Sequence, residues 1–71
     1  MTAEQHNFFC QLPRRAQREI LQRVFGKAAY RGNRSDRSVG RILAYMRTVP
    51  HIEARFIDEL TAEQTRIAKE S

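Results

Sequence analysis

Apolar residues recur along this chain at helical intervals, in groups separated by proline, glycine or a capping signal. The first group holds Phe8, Phe9 and Leu12 and follows Thr2-Ala3-Glu4-Gln5. In that tetrapeptide the Thr hydroxyl can accept from the N–H three residues on while Gln5 reaches back, which starts a helix. Pro13 pushes Leu12 out of the α region and ends it, and suits the first turn of a second helix, where its missing N–H costs nothing. Leu12, Ala16, Ile20, Leu21, Val24 and Phe25 then make one broad apolar face, opposite Arg15, Arg18, Glu19 and Gln22. Gly26 is placed to stop this helix as a left-handed terminal residue. Residues 26–34 contain two glycines and an asparagine, lack periodicity and read as a loop with room for one helical turn near Ala28–Tyr30.

Ser35 or Asp36 can cap a third helix, in which Val39, Ile42, Leu43 and Met46 keep the helical spacing and Val49 completes the stripe. Gly40 and Ala44 form a small-residue strip on it, open to close approach by another backbone. Pro50 forces a break at Val49. A fourth helix follows with Thr48 as its expected cap and Ile52, Phe56, Ile57 and Leu60 facing inward. Thr61-Ala62-Glu63-Gln64 repeats the starting signal of the N-terminus, so either a short fifth helix begins there or the fourth runs through. Its last turn is polar apart from Ile67 and is expected to fray. No alternating stretch is long enough for a strand. The fold class expected is therefore all-α: a compact bundle of four helices, or five, in a single domain over residues 1–71.

The core available to such a fold is Phe8, Phe9, Leu12, Ile20, Leu21, Val24, Phe25, Val39, Ile42, Leu43, Met46, Val49, Ile52, Phe56, Ile57 and Leu60. Ile20, Val24, Ile42, Leu43, Met46 and Phe56 are expected deepest. A chain of this length buries only about 60% of its unfolded surface. A homodimer that seals further apolar area, with the first and fourth helices as its seam, is therefore an open expectation. Cys10 is the one cysteine, so no intrachain disulfide can form. Beside Phe9 it is expected to be a small buried hydrophobe. With no apolar run near 18 residues and no hydrophobic leader, a cytoplasmic, membrane-free setting is expected.

Charge changes the picture more than composition does. Thirteen Lys and Arg against eight Asp and Glu give +5, and arginines outnumber lysines eleven to two. Residues 13–48 hold ten basic groups against only Glu19 and Asp36, a local net charge of +8. Residues 50–71 carry three basic groups against five acids, a local −2. Such a lopsided molecule has a basic pole and a mildly acidic one. Arg34, Arg37 and Arg41 are spaced three to four apart on the third helix, with Tyr45 four further on. Guanidiniums in a row track phosphates, and the tyrosine can stack or hydrogen-bond. Arg31 and Lys27 extend the row, and Arg15 and Arg18 join it if the second and third helices pack antiparallel. A merely solvated face would mix signs. Like charges four apart also weaken an isolated helix by about 0.2–0.5 kcal/mol per pair, so the row has no local benefit.

Other chemistries find little support. A helix-turn-helix needs a short turn, whereas residues 26–34 separate helices two and three. The tightly joined fourth helix carries Glu53, Asp58 and Glu59, which phosphates repel. His6, Cys10 and His51 contain no paired zinc knuckle, so no metal or cofactor is expected. Asp58 and Glu59 are adjacent and diverge on a helix, Gly32-Asn33-Arg34-Ser35 is not a phosphate-binding P-loop, and Ser35 and Ser38 lack a nearby histidine. An enzyme is not expected. The leading expectation is a small binding module that engages a polyanion, most simply double-stranded DNA, as a regulatory or accessory factor. The alternative is a small adaptor or inhibitor, in the style of bacterial or phage accessory proteins, that docks the same face on an acidic protein surface.

Overall fold

Every element in the computed structural model of this protein is a helix. The structure describes residues 1–26 and 36–70, without the side chains of 36–38. The expected loop, its helical turn near Ala28–Tyr30 and the Ser35 cap therefore lie outside the described residues. Four helices are present among the described residues: α1 (Ala3–Gln11), α2 (Arg14–Phe25), α3 (Asp36–Met46) and α4 (Pro50–Glu70). The expected all-helical class holds, with no strand among the described residues.

Local chemistry explains the boundaries. At the start of α1 the Thr2 hydroxyl accepts from the Gln5 N–H at 3.1 Å, and the Gln5 Oε1 accepts from the Thr2 N–H at 2.7 Å, completing the reciprocal cap. Leu12 is extended (ψ 149) ahead of Pro13, and α2 starts directly after that proline. Gly26 ends α2, its N–H donating to the Gln22 carbonyl at 2.7 Å. Its φ of 90 is positive as expected, but a ψ of 149 places it in the mirror-image extended region rather than the left-handed helix. Only glycine occupies that region readily.

Between α3 and α4 the assignment of one residue changes. The Thr48 hydroxyl donates to the Tyr45 carbonyl at 2.7 Å, and the Thr48 N–H donates to the same oxygen at 3.0 Å. Thr48 thus closes the end of α3 rather than capping α4. The first carbonyl of α4's ladder is Val49's, which accepts from the N–H groups of Ile52 and Glu53 at 3.1 and 3.0 Å. Pro50 occupies the first helical position, where it lacks nothing.

Helix α4 is the element on which the others pack. The start of α2 lies beside Ala62 and Glu63 and its end beside Arg55 and Glu59, so α2 and α4 run antiparallel. One apolar cluster joins all four helices: Phe9 and Leu12 from α1, Ile20, Leu21 and Val24 from α2, Val39, Leu43 and Met46 from α3, and Phe56 and Leu60 from α4. Phe9 and Phe56 meet edge to face with ring centres 5.0 Å apart, a geometry that aromatic rings prefer. Each fully enclosed side chain contributes about 1.5–3 kcal/mol of burial free energy. Of the residues expected deepest, Ile42 is the exception, half-buried at the margin of α3, while Phe9, Leu21 and Leu60 are as enclosed as any.

Two polar groups lie inside. The Gln17 amide donates to the carbonyls of Phe9 at 2.8 Å and Cys10 at 3.3 Å. It thereby supplies a partner to the end of α1, whose last carbonyls have no helical donor. Glu63 is buried where α4 passes α2 and pairs with Arg66. Cys10, expected inside, is exposed, with its Sγ 3.9 Å from the His6 Nε2. The α1 face that buries Phe9 turns the next residue outward.

Candidate functional site

The arginines of residues 13–48 divide by what holds them. On α2, positions 15, 19 and 23 form one row four residues apart, and that row faces α4. Arg15 approaches Glu19 at 3.5 Å, and the Arg23 Nε donates to Glu59 at 2.7 Å. Arg55 from α4 donates to the Arg23 carbonyl at 3.1 Å, closing the end of α2. Together with Glu63 and Arg66 these residues line a groove of mixed sign between α2 and α4. Arg66 bridges Glu63 and Glu70, and its guanidinium holds the Glu63 carboxyl below the ordinary glutamate range. The same two carboxylates raise the pKa of Arg66.

The neighbouring row of α2 is positions 14, 18 and 22. Arg18 there is exposed and makes no ion pair or hydrogen bond among the described residues. Arg15 and Arg18, expected to act together, are therefore on different rows, one facing acids and one open. The condition for their joining the α3 row is antiparallel packing of α2 on α3, whereas the main partner of α2 is α4. Helix α3 approaches α2 near Gln17, across a groove lined by His6, Phe9 and Cys10 of α1 and by Val39, Gly40 and Leu43.

Helix α3 has the simplest pattern. Its buried side is the pair of rows carrying Val39, Leu43 and Met46, with Ile42 half-buried. The opposite side is two more rows. One is Arg37, Arg41 and Tyr45; the other is Gly40, Ala44 and Thr48, which begins at the edge of the groove against α1, where Gly40 is part of the lining. Arg41, Tyr45, Gly40, Ala44 and Thr48 are all exposed, Tyr45 by 53%. Neither Arg41 nor the Tyr45 side chain has a partner among the described residues, and the same holds for Arg47 in the following turn. The side chain of Arg37 and the whole of Lys27, Arg31 and Arg34 lie outside the described residues.

Sequence reasoning named the row of Arg34, Arg37, Arg41 and Tyr45, and read Gly40 and Ala44 beside it as a small-residue strip open to another backbone. Arg47 was counted as charge and not as surface. For metal chemistry, no cluster of three His, Cys, Asp or Glu groups occurs among the described residues. No helix among them is long and apolar enough to cross a membrane. Comparison with protein-family models, characterised proteins and solved structures gave no match to this chain.

Proposed function

We propose that this chain is a small non-enzymatic binding module whose arginines on α2 and α3 engage the phosphate backbone of double-stranded DNA, as a regulatory or accessory factor. The observation that carries this reading is the division of charge. The acids of α4 are largely taken up, Glu59 by Arg23 and Glu63 and Glu70 by Arg66, whereas Arg18, Arg41 and Arg47 project with no partner among the described residues. Exposed guanidiniums that no internal carboxylate neutralises, on a chain of net charge +5, attract an extended anion.

The test is a titration of random-sequence duplex at two salt concentrations, with wild type and Arg41→Ala. Contact with phosphates releases counterions, so log K falls linearly with log salt, by about 0.9 per phosphate. Arg41→Ala is expected to weaken binding to all sequences alike and to reduce that slope by roughly one. Even non-specific binders reach dissociation constants of about 10⁻⁴–10⁻⁶ M at physiological salt. Absence of duplex binding at micromolar protein and about 50 mM salt therefore removes this reading. The face would then belong to an acidic protein, with one or two arginines as hot spots worth about 2 kcal/mol or more each.

A further inference from the structure

Resting on the reading just given, we propose that Tyr45 gives this surface a second mode of binding, in which an unpaired base of a single nucleic-acid strand stacks on its ring beside Arg41 and Arg47. Only Tyr45 and Ile67 are large apolar side chains left exposed among the described residues. The Tyr45 ring keeps in water an apolar face that a flat partner would cover. The backbone beneath it is fixed. The Thr48 hydroxyl and N–H both donate to the Tyr45 carbonyl, at 2.7 and 3.0 Å, and close α3 at that point. Little order therefore has to be gained there on binding, which favours affinity.

Charge complementarity identifies the occupant. Arg41 lies one helical turn before Tyr45 on the same row, and Arg47 follows in the turn after α3. Both are exposed without a partner among the described residues. From residue 37 to residue 52 the chain carries no acid. An aromatic ring set among guanidiniums that no carboxylate neutralises suits a single strand of any sequence: the cations follow the phosphates and a base lies on the ring. Intact duplex has no use for the ring, because each base face inside it is covered by its neighbours. On duplex Tyr45 offers only its hydroxyl, as a donor to phosphate. Replacing tyrosine by phenylalanine therefore separates the two contacts.

The experiment titrates wild type, Tyr45→Phe and Tyr45→Ala against a labelled oligothymidylate, which does not pair with itself, and against a random duplex. Binding is read by fluorescence anisotropy and folding by circular dichroism. Tyr45→Ala is expected to weaken oligothymidylate binding about five- to 150-fold, the range of one base–aromatic stack, and to leave duplex affinity within about twofold of wild type. Tyr45→Phe is expected to bind both probes as wild type does. Oligothymidylate binding that is unchanged in Tyr45→Ala would overturn the stack. Equal losses in Tyr45→Phe and Tyr45→Ala would overturn it too, since the hydroxyl would then be the contact. So would equal losses on strand and duplex. A wild type that binds duplex but no oligothymidylate overturns this inference and leaves the proposed function standing. If the wild type binds neither, the proposed function fails first and this inference fails with it. Should Tyr45→Ala melt early, Tyr45→Leu, which keeps apolar bulk without a ring, decides the matter by the same readout.

Discussion

Truncating Phe56 to alanine is expected to remove most of the stability of this protein. Phe56 is fully enclosed on α4, and its ring meets Phe9 of α1 edge to face at 5.0 Å. The helix on which the others pack thus loses its largest internal side chain. Phe→Ala in a core costs about 3–5 kcal/mol, transfer and cavity terms together. The aromatic pair contributes about 0.5–1.5 kcal/mol of that beyond its area. A domain of this size has roughly 4–11 kcal/mol in all. For domains of 60–100 residues each kcal/mol moves Tm by about 4–8 °C, so even the smallest loss lowers it by about 12 °C.

Thermal melts followed by helical circular dichroism, with urea titrations beside them, measure this directly. Phe56→Leu refills part of the space and loses the ring geometry, so about 1–1.5 kcal/mol is expected. Phe8→Ala, at a half-buried position on the same helix as Phe9, is expected to cost less than about 2 kcal/mol. The ordering matters as much as the magnitudes. A Phe56→Ala protein that melts within about 3 °C of wild type, or above Phe8→Ala, would refute the packing of α1 on α4 described here.

Two further outcomes are expected. Because the Arg66 hydrogen bond lowers the Glu63 pKa in the folded state, the stability from that pair is present at neutral pH and lost as pH falls below the ordinary value of 4.5 through the lowered one. Urea midpoints should show wild type more stable than Glu63→Gln at neutral pH, with the gap closing as pH falls below 4.5. A gap that stays constant with pH would contradict the pairing. Cys10 is exposed, so its thiol should react with an aromatic disulfide reagent in the native state, and Cys10→Ser should melt within about 2 °C of wild type. Protection until unfolding would return Cys10 to the interior.

The parts of the fold that were legible in the sequence rest on short-range steric and capping chemistry. Pro13, Gly26 and Pro50 act on their own backbone and on the residue before, so the helix breaks they dictate can be read without knowing the neighbours. The apolar periodicity of α2 and α3 likewise assigned Ile20, Val24, Leu43 and Met46 to the inside. What could not be read is where helices meet in space. Gln17 looks like any polar residue until the end of α1 is placed against it and its amide answers two carbonyls. Glu63 is buried because α2 passes over it, a fact of the α2–α4 crossing and not of its neighbours in sequence. For the candidate site the same limit applies. The Arg37, Arg41, Tyr45 row follows from spacing alone, whereas the separation of Arg15 from Arg18 follows from α2 choosing α4 as its partner.

The tetrapeptide Thr-Ala-Glu-Gln, present at 2–5 and again at 61–64, isolates the reason. At the first site Thr2 is extended, with ψ 165, so its hydroxyl turns back over the helix and accepts from Gln5. At the second, Thr61 is helical and its hydroxyl instead donates to the Ile57 carbonyl at 2.9 Å; Thr65 repeats this on Thr61 at 3.0 Å. No fifth helix begins there, and α4 runs on to Glu70, with Arg66 tying Glu63 to Glu70 in the turns expected to fray. The four residues are identical, so the difference lies in what precedes them. Met1 and Thr2 are themselves not helical, so no carbonyl ladder runs through the first site. Before Thr61, Phe56 and Leu60 are already fixed in the core at helical spacing, and leaving the α region at Thr61 would break the carbonyl ladder that holds them. A capping sequence marks where a helix can start; whether it does is decided by the packing of the residues ahead of it.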